Sequence, residues 1–200
     1  MDPIAKYAAV FGRPPAVVRA PTDRWGVSAC LFPPLKRGFW RSLVSESHDT
    51  AVYVTSGMSE HPMAPHAPAP YAARVELMAF SPMPIAGGPD GSEDVPTAVL
   101  QSISSYVLDH RILIGVGHTL DFQQPLASNT RMTGCLFATA DAVDERRVRR
   151  CSKAQQLLNV VLLTAAELEL ARSEGVPALL DRFEAAGVGP VFDFQRPGTA

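Results

Sequence analysis

The apolar run QLLNVVLL at residues 156–163 constrains the fold more than any other segment. Nearly every position is apolar, whereas a strand with one wet face alternates, so we predict a strand covered on both faces. Thr164 and Glu167 follow it with the T-x-x-E spacing of a capping box, which predicts a helix start. Gly175 predicts the end of that helix, and Pro177 predicts the first turn of a second one. Together these segments predict a sheet with helices packed on it.

Helical periodicity is also present elsewhere in the chain. An apolar stripe in the second C-terminal helix predicts the side that packs on the core, and Gly187 predicts its end. The stripe consists of Val176, Leu179, Leu180 and Phe183. A longer helix is predicted from Pro96 or Thr97 onward, because its apolar residues recur at helical spacing. Those residues are Val99, Leu100, Ile103, Tyr106 and Val107. One or two helical turns are predicted over 4–11, ending before the prolines that follow Gly12.

Strand patterns account for most of the remaining order. We predict strands at 27–32, 49–56, 73–80, 112–122, 134–139 and 190–195, with Pro-rich loops at 61–70 and 81–94. In 73–80, Val75, Leu77 and Ala79 alternate with Arg74, Glu76 and Met78, which predicts one face against the core. The whole predicts a single α+β domain with a mixed or mostly antiparallel sheet. We divide the chain into an N-terminal helical and loop segment, 1–24, and a domain, 25–197.

Bulk properties exclude several classes of protein. The 200 residues carry a formal net charge of −2, so the charge gives no reason to expect nucleic acid or membrane partners. No run reaches the ~18 apolar residues that span a bilayer, and no apolar stretch of signal-peptide length opens the chain. We therefore predict a cytoplasmic protein. The three cysteines, Cys30, Cys135 and Cys151, form neither a metal pattern nor a disulfide framework and are interpreted as free thiols.

One serine lies in a segment similar to the nucleophile elbow G-x-S-x-G. Ser59 follows a predicted strand and Gly57 precedes it, but His61 takes the place of the last glycine. A Pro-rich loop follows where an elbow requires a helix. A structural turn is the favoured interpretation, and a hydrolase serine is the alternative.

A second possible constellation combines histidine with carboxylate. Asp109, His110, His118 and Asp121 could ligate a metal or exchange protons, although their spacing matches no dedicated motif. If 112–122 is one strand, His118 points to the core with Ile114 and Val116, so a hydrogen-bonded structural histidine is favoured.

Three other polar features carry weaker signals. His61 and His66 flank prolines in a loop, and a metal pair there is not the favoured interpretation. Gly115 and Gly117 lack the third glycine of a phosphate-binding loop. The charge run DERRVRR, 144–150, could contact an acidic partner through Arg146, Arg147, Arg149 and Arg150, but solvated loops are the usual place for such runs.

Several ordered segments together resemble the suppressor of fused domain family. They are AVYVTSGMSEHP (51–62), ARVELMAF (73–80), VLQSISSYVLDHR (99–111), GVGHTL (115–120), PLASNT (125–130), VVLLTAAELELARSEG (160–175) and VFDFQRP (191–197). The family's strand and G-[hydrophobic]-S-[acidic] turn match Tyr53 to Glu60. Its tail, an acid a few positions before an arginine, matches Asp193 and Arg196. The resemblance runs from about residue 25 to 197.

The resemblance implies a protein-binding domain without cofactors or metals. Animal members retain a transcription factor in the cytoplasm by gripping a peptide between two domains, and the second domain is not expected here. Some bacterial single-domain relatives are proposed to be immunity proteins that neutralise a toxin, and we take that as the leading hypothesis. The predicted partner-binding residues are Tyr53, Gly57, Ser59, Glu60, His61, Asp193 and Arg196. We expect a protein partner, no nucleic acid, no membrane, and a monomer or homodimer.

Two alternatives to the binding hypothesis are open. One is an enzyme that uses Ser59 or the pair His118 and Asp121. The other is a regulatory scaffold that dimerises through an edge strand such as 27–32.

Overall fold

The computed structural model describes residues 3–11, 14–32, 51–63, 72–81, 95–127, 130–140, 156–189 and 192–199. Within these ranges the chain forms four α-helices: α1 (Pro3–Phe11), α2 (Val95–Asp109), α3 (Ala165–Ser173) and α4 (Val176–Ala185). The strands are β1 (Val17–Arg19), β2 (Ser28–Phe32), β3 (Ala51–Ser56), β4 (Val75–Ser81), β5 (Thr119–Asp121), β6 (Met132–Thr139) and β7 (Gln156–Thr164). None of the helices in the described ranges has the length and apolar content to cross a bilayer.

The seven described strands form one sheet in the order β1-β2-β3-β4-β7-β6-β5. Only the pairing of β4 with β7 is parallel among them, and the other five pairings are antiparallel. This confirms the predicted α+β fold with a mixed, mostly antiparallel sheet. The β1 strand comes from the N-terminal segment 1–24 and pairs with β2, so that segment contributes to the sheet.

The predicted central strand is confirmed. Residues 157–164 of β7 are all buried, because β7 lies between β4 and β6 and both its faces are covered. The capping box is present at the start of α3, where the Glu167 amide donates to the Thr164 hydroxyl and the Thr164 amide donates to the Glu167 carboxylate. Gly175 separates α3 from α4, as predicted, and Pro177 lies in the first turn of α4.

Both faces of the sheet are buried at β4, which corrects the expectation for this strand. All seven of its residues are buried, not only the face with Val75, Leu77 and Ala79. These three belong to the larger core cluster with α2, whereas Met78 and Phe80 pack in a second cluster that includes residues of α1. A helix distant in sequence therefore covers the face that was expected to be wet.

The predicted strand at 112–122 is wrong except for Thr119–Asp121. Gly117 has φ +85° and the His118 amide donates to the Gly115 carbonyl at 3.1 Å, so the chain turns there. Val116 is 45% exposed and does not face the core. The alternating apolar residues were coincidental, because a turn interrupts them.

Three further expectations need correction. The β2 strand is not an edge, because β1 and β3 pair with its two sides, so it offers no free ladder for a dimer. Residues 192–195 form no strand, and Asp193 instead accepts a hydrogen bond from the Gln195 amide. Leu180 is 47% exposed although it was placed in the apolar stripe of α4, whereas Leu179 and Phe183 are buried.

Cys30 and Cys135 are confirmed as buried free thiols, and burial raises the pKa of Cys135 to about 12. Cys151 and residues 64–71 and 82–94 lie outside the described residues.

Candidate functional site

A tight turn follows β3 at residues 57–61. Gly57 has φ +109°, a conformation that side-chain-bearing residues rarely adopt, and a methyl group there would lie 3.2 Å from the Gly26 carbonyl oxygen. A single 3-10 turn covers Met58–Glu60, in which the Glu60 amide donates to the Gly57 carbonyl at 3.0 Å. Met58 and Ser59 are buried and Glu60 is exposed, so the turn is anchored on one side and presents an acid on the other.

The anchor on the buried side is the carboxylate of Glu76, in β4, which is 1% exposed. Its Oε1 accepts from the amides of Gly57 at 3.1 Å and Ser59 at 3.0 Å, and from the Ser59 hydroxyl at 2.8 Å. Its Oε2 accepts from the Thr55 hydroxyl at 2.6 Å. Burial raises the pKa of Glu76, and the hydrogen bonds, that of Thr55 first, offset part of this effect.

Arg74 holds the other side of the same turn. Its Nη1 donates to the carbonyl oxygens of Ser59 at 2.7 Å and Glu60 at 2.9 Å. Glu76, in β4, therefore binds the amides of the turn, and Arg74, just before β4, binds its carbonyls. The backbone of the turn is fixed by two side chains that are two residues apart.

The exposed side of the turn continues onto the loop before β2. His61 Nε2 lies 2.6 Å from the Trp25 carbonyl oxygen, and the two rings meet edge to face at 5.2 Å. The Trp25 indole donates to Asp109 at 2.9 Å, and Arg24 donates to the same oxygen at 2.7 Å. The hydrogen bond from Trp25, and then Arg24, lowers the pKa of Asp109. We call Arg24, Trp25, Glu60, His61 and Asp109 the turn surface.

Arg196 occupies a different place in the fold. It is 8% exposed and makes a bidentate pair with Glu167, with distances of 2.6 and 2.8 Å. It also donates to the Leu162 carbonyl at 2.5 Å, and its guanidinium lies 4.9 Å from the centre of the Phe183 ring. Burial alone would raise the pKa of Glu167, but the hydrogen bonds and charge of Arg196 and the hydrogen bonds from the Thr164 and Thr199 amides together outweigh it and lower the pKa to about 2. Arg196 thus fixes the C-terminal segment to α3.

The seven residues predicted to bind a partner do not form one surface. Gly57, Glu60 and His61 lie together in the turn, whereas Asp193 is half-exposed beside Phe192, whose amide bonds to the Phe80 carbonyl near the far end of β4. Tyr53 is 0% exposed, Ser59 1% and Arg196 8%. These three side chains lie within the fold and present little or no surface in this structure.

The candidate catalytic residues that the structure describes do not form one site. The Ser59 hydroxyl is buried and donates to Glu76, so it is not presented as in a nucleophile elbow. The His110 ring packs against the Tyr106 ring in a tilted arrangement, with centroids 4.5 Å apart, and His118 Nδ1 lies 3.2 Å from the Leu113 carbonyl. Within the described ranges no three His, Cys, Asp or Glu side chains come together in a way that could hold a metal.

Asp121 is also committed to a structural contact. It accepts hydrogen bonds from Arg172 at 2.7 Å and from the Gln123 amide at 2.8 Å. The hydrogen bond from Gln123, and then that from Arg172, lowers the pKa of Asp121. His66 and the arginines at 146, 147, 149 and 150 lie outside the described residues.

Sequence reasoning missed Glu76, Arg74 and Trp25. The signal for the first was present, because Glu76 is an acid inside an apolar strand, and a buried acid needs hydrogen-bond donors. What the sequence did not show was where those donors are.

The fold and the turn define a class of protein, an α+β domain with a fixed, partly exposed strand-to-turn element. A family model described as suppressor of fused protein (SUFU) matches residues 40–197, and the chain belongs to that family. None of the curated proteins compared with the chain matches it.

Solved structures share the fold at low sequence identity. A suppressor of fused homolog from Neisseria gonorrhoeae FA 1090 is 13% identical, with a TM-score of 0.63 over 99% of this chain and 94% of that one. The Sufu–Fu complex gives 12% identity and a TM-score of 0.64 over 98% and 90%. Drosophila Suppressor of Fused gives 13% and 0.62 over 98% of this chain but 50% of that one, so this chain spans half its length.

Proposed function

We propose that this chain is a non-enzymatic protein-binding domain and that the turn surface contacts its partner. The observation that carries the proposal is the turn surface itself. Arg24 and Trp25 both donate to the exposed Asp109, and the His61 ring contacts the Trp25 carbonyl. These side chains lie beside a turn whose backbone is fixed by Glu76 and Arg74. Membership of the suppressor of fused family supports it, and a relative with this fold is found in the Sufu–Fu complex.

The physical case rests on the entropy of binding. A surface whose backbone is already ordered loses less conformational freedom when a partner docks, and this improves affinity. Tryptophan and arginine are also enriched among the residues that dominate binding energy at interfaces. In the turn surface Arg24 lies 4.9 Å over the Trp25 ring, so the two side chains support each other before any partner arrives.

In this proposal Gly57, Glu60 and His61 lie at the contact surface, whereas Asp193 lies near the other end of β4 and outside that surface. Tyr53, Ser59 and Arg196 act from within the fold, because their side chains are buried. The exposed Glu60 provides a negative charge that suits a basic patch on the partner.

The finer proposal is that the partner is a toxin and that the chain is a cytoplasmic immunity protein, monomeric or homodimeric. Its mechanism is occlusion of the toxin's working surface, without turnover. The resemblance to bacterial single-domain relatives supports this, as does the similar length of the Neisseria homologue, of which 94% is covered.

The proposal is tested by affinity capture from the native cell with tagged wild-type protein, Glu60→Arg and Glu184→Arg, followed by mass spectrometry. Glu184 is an exposed acid on α4, so its reversal is the matched control for the change in charge. We expect one stoichiometric protein with wild type and with Glu184→Arg, and its loss with Glu60→Arg. Equal recovery by all three would exclude the turn surface, and no specific recovery would contradict the binding function.

The toxin proposal has its own test. The captured partner is expressed in a heterologous host with and without this chain, and growth is followed. We expect the partner alone to arrest growth and the wild-type chain to restore it. A partner that does not affect growth would contradict the immunity role while leaving protein binding intact.

A further inference from the structure

Backbone pairing between β3 and β4 ends just before the turn begins. The ladder between β3 and β4 pairs Ala51–Val54 with Met78–Ser81. Beyond it the Thr55 hydroxyl takes the place of a backbone partner, since it accepts from the Leu77 amide at 2.8 Å and donates to Glu76. Glu76 therefore lies at the point where backbone pairing of β3 and β4 gives way to side-chain bonding.

The partners of Glu76 within the described residues are neutral donors. Four hydrogen bonds reach its carboxylate from Thr55, Gly57 and Ser59. The nearby cation, Arg74, donates to backbone carbonyls of the turn. A buried carboxylate without a cation is destabilising unless its hydrogen bonds are complete, so a residue of this kind specifies one local conformation rather than adding stability.

We propose that Glu76 is the positioning residue of the turn surface, whose carboxylate holds the amides of Gly57 and Ser59 and thereby aims Glu60 and His61 at the partner. This inference rests on the proposed function for the role of the turn, but the positioning itself is a property of the free protein. Glutamine has the same size but cannot hold the turn in this way. Three donors converge on one carboxylate oxygen of Glu76 and a fourth reaches the other oxygen. Glutamine would replace one of these two acceptors with an N–H donor, which cannot accept those hydrogen bonds.

The charged surroundings of Glu76 decide how the test is designed. Arg74 lies two residues before it in the sequence, just ahead of β4, and Glu60 and His61 lie on the turn above. The β3 side contributes the Thr55 hydroxyl, and the β7 side places Leu157 opposite Glu76 in the parallel ladder. Glu60 and His61 are therefore the neighbouring ionisable side chains on the turn, and each needs a control variant.

The experiment measures the turn amides of the free protein by NMR. In Glu76→Gln, hydrogen exchange at Gly57 and Ser59 is expected to rise about tenfold, while amides of β7 stay protected. Ser59→Ala removes a single bond and gives a smaller rise, and it serves if Glu76→Gln fails to fold. Ser104→Ala, which removes another buried serine's bond to the Leu100 carbonyl, is the matched control and leaves the turn unchanged.

The pH dependence of the turn amide shifts shows whether the Glu76 carboxylate itself holds the turn or whether its side chain only fills space there. In wild type the amide proton shifts of Gly57 and Ser59 are expected to follow one titration with a midpoint above 4.5, since burial raises the pKa of Glu76. The titration should persist in Glu60→Gln and His61→Asn and vanish in Glu76→Gln. Unaltered exchange at both amides in Glu76→Gln, or a titration that survives it, would overturn the inference.

Binding then separates the two proposals. Where wild type captures a partner, Glu76→Gln at pH 7 is expected to bind it about tenfold more weakly although Glu60 is intact. Equal affinity would overturn the aiming of Glu60. If wild type captures no partner, the proposed function fails, and the amide measurements alone decide whether Glu76 holds the turn.

Discussion

Replacement of Arg196 by methionine should destabilise the protein more than any exposed charge change. The substitution leaves the Glu167 carboxylate buried with the donors of Thr164 and Thr199 but without its cation. The substitution also removes the hydrogen bond from Arg196 to the Leu162 carbonyl, and this bond ties the C-terminal segment to β7.

The magnitude follows from the pKa of Glu167. Arg196 and the other donors lower it from 4.5 to about 2 against the opposing effect of burial. A shift of this size corresponds to about 3 kcal/mol of folding free energy at neutral pH. Removal of one partner from a buried ion pair typically costs about 3–5 kcal/mol. We therefore expect Arg196→Met to lower the free energy of unfolding by roughly that amount at pH 7.

The pH dependence has a defined sign. Because the folded pKa of Glu167 lies below its unfolded value, its contribution is complete above about pH 4.5 and is lost as the pH falls towards about 2. The difference in stability between wild type and Arg196→Met should thus be largest at pH 7 and shrink at pH 3.

The assay is equilibrium urea unfolding followed by far-UV circular dichroism at pH 7, 5 and 3. Arg172→Met is the control, because Arg172 pairs with Asp121 at a similar distance, 2.7 Å, but its side chain is 54% exposed. We expect that control to lose less than about 1 kcal/mol. The double variant Glu167→Gln with Arg196→Met should recover part of the loss. A loss below about 1 kcal/mol for Arg196→Met, or one that does not change with pH, would refute this reasoning.

Three smaller changes test other parts of the fold. Gly134→Ala places a methyl 2.7 Å from Leu168 Cδ1 and against the Leu120 carbonyl, so thermal melting should show a loss of about 1–3 kcal/mol, and an unchanged midpoint would contradict the close packing of β5 and β6. Gly57→Ala should destabilise by about 1–2 kcal/mol because φ is +109°, and chemical shift changes centred on the turn would show the strain; wild-type stability would contradict it. Thr164→Ala should cost about 1 kcal/mol in urea unfolding by removing the cap of α3, and no loss would mean that the cap is dispensable.

Local contacts explain which parts of the fold were predictable. The capping box, Gly175 and Pro177 act within a few residues of themselves, so their effect does not depend on the rest of the chain. The apolar run of β7 was equally informative, because only a strand covered on both faces tolerates it. The resemblance to the family was confirmed over residues 40–197.

The errors have one local and one distant cause. The alternation at 112–122 predicted a strand because sequence periodicity does not show that Gly117 turns the chain at φ +85°. The second face of β4 was not expected to pack on the core, but α1, more than sixty residues earlier, belongs to the cluster that covers it. Burial of β4 was decided by packing rather than by its own pattern.

The sequence by itself determined the helix and strand segments with strong local signals, the α+β class and the family. Only the tertiary structure decided what Glu76 and Arg196 do. Their carboxylate and guanidinium groups bond to partners 17 to 34 residues away in Ser59, Glu167 and Leu162. A buried charge is tolerated only where an opposite charge or hydrogen bonds compensate it, and those donors and acceptors come together only when the sheet has formed.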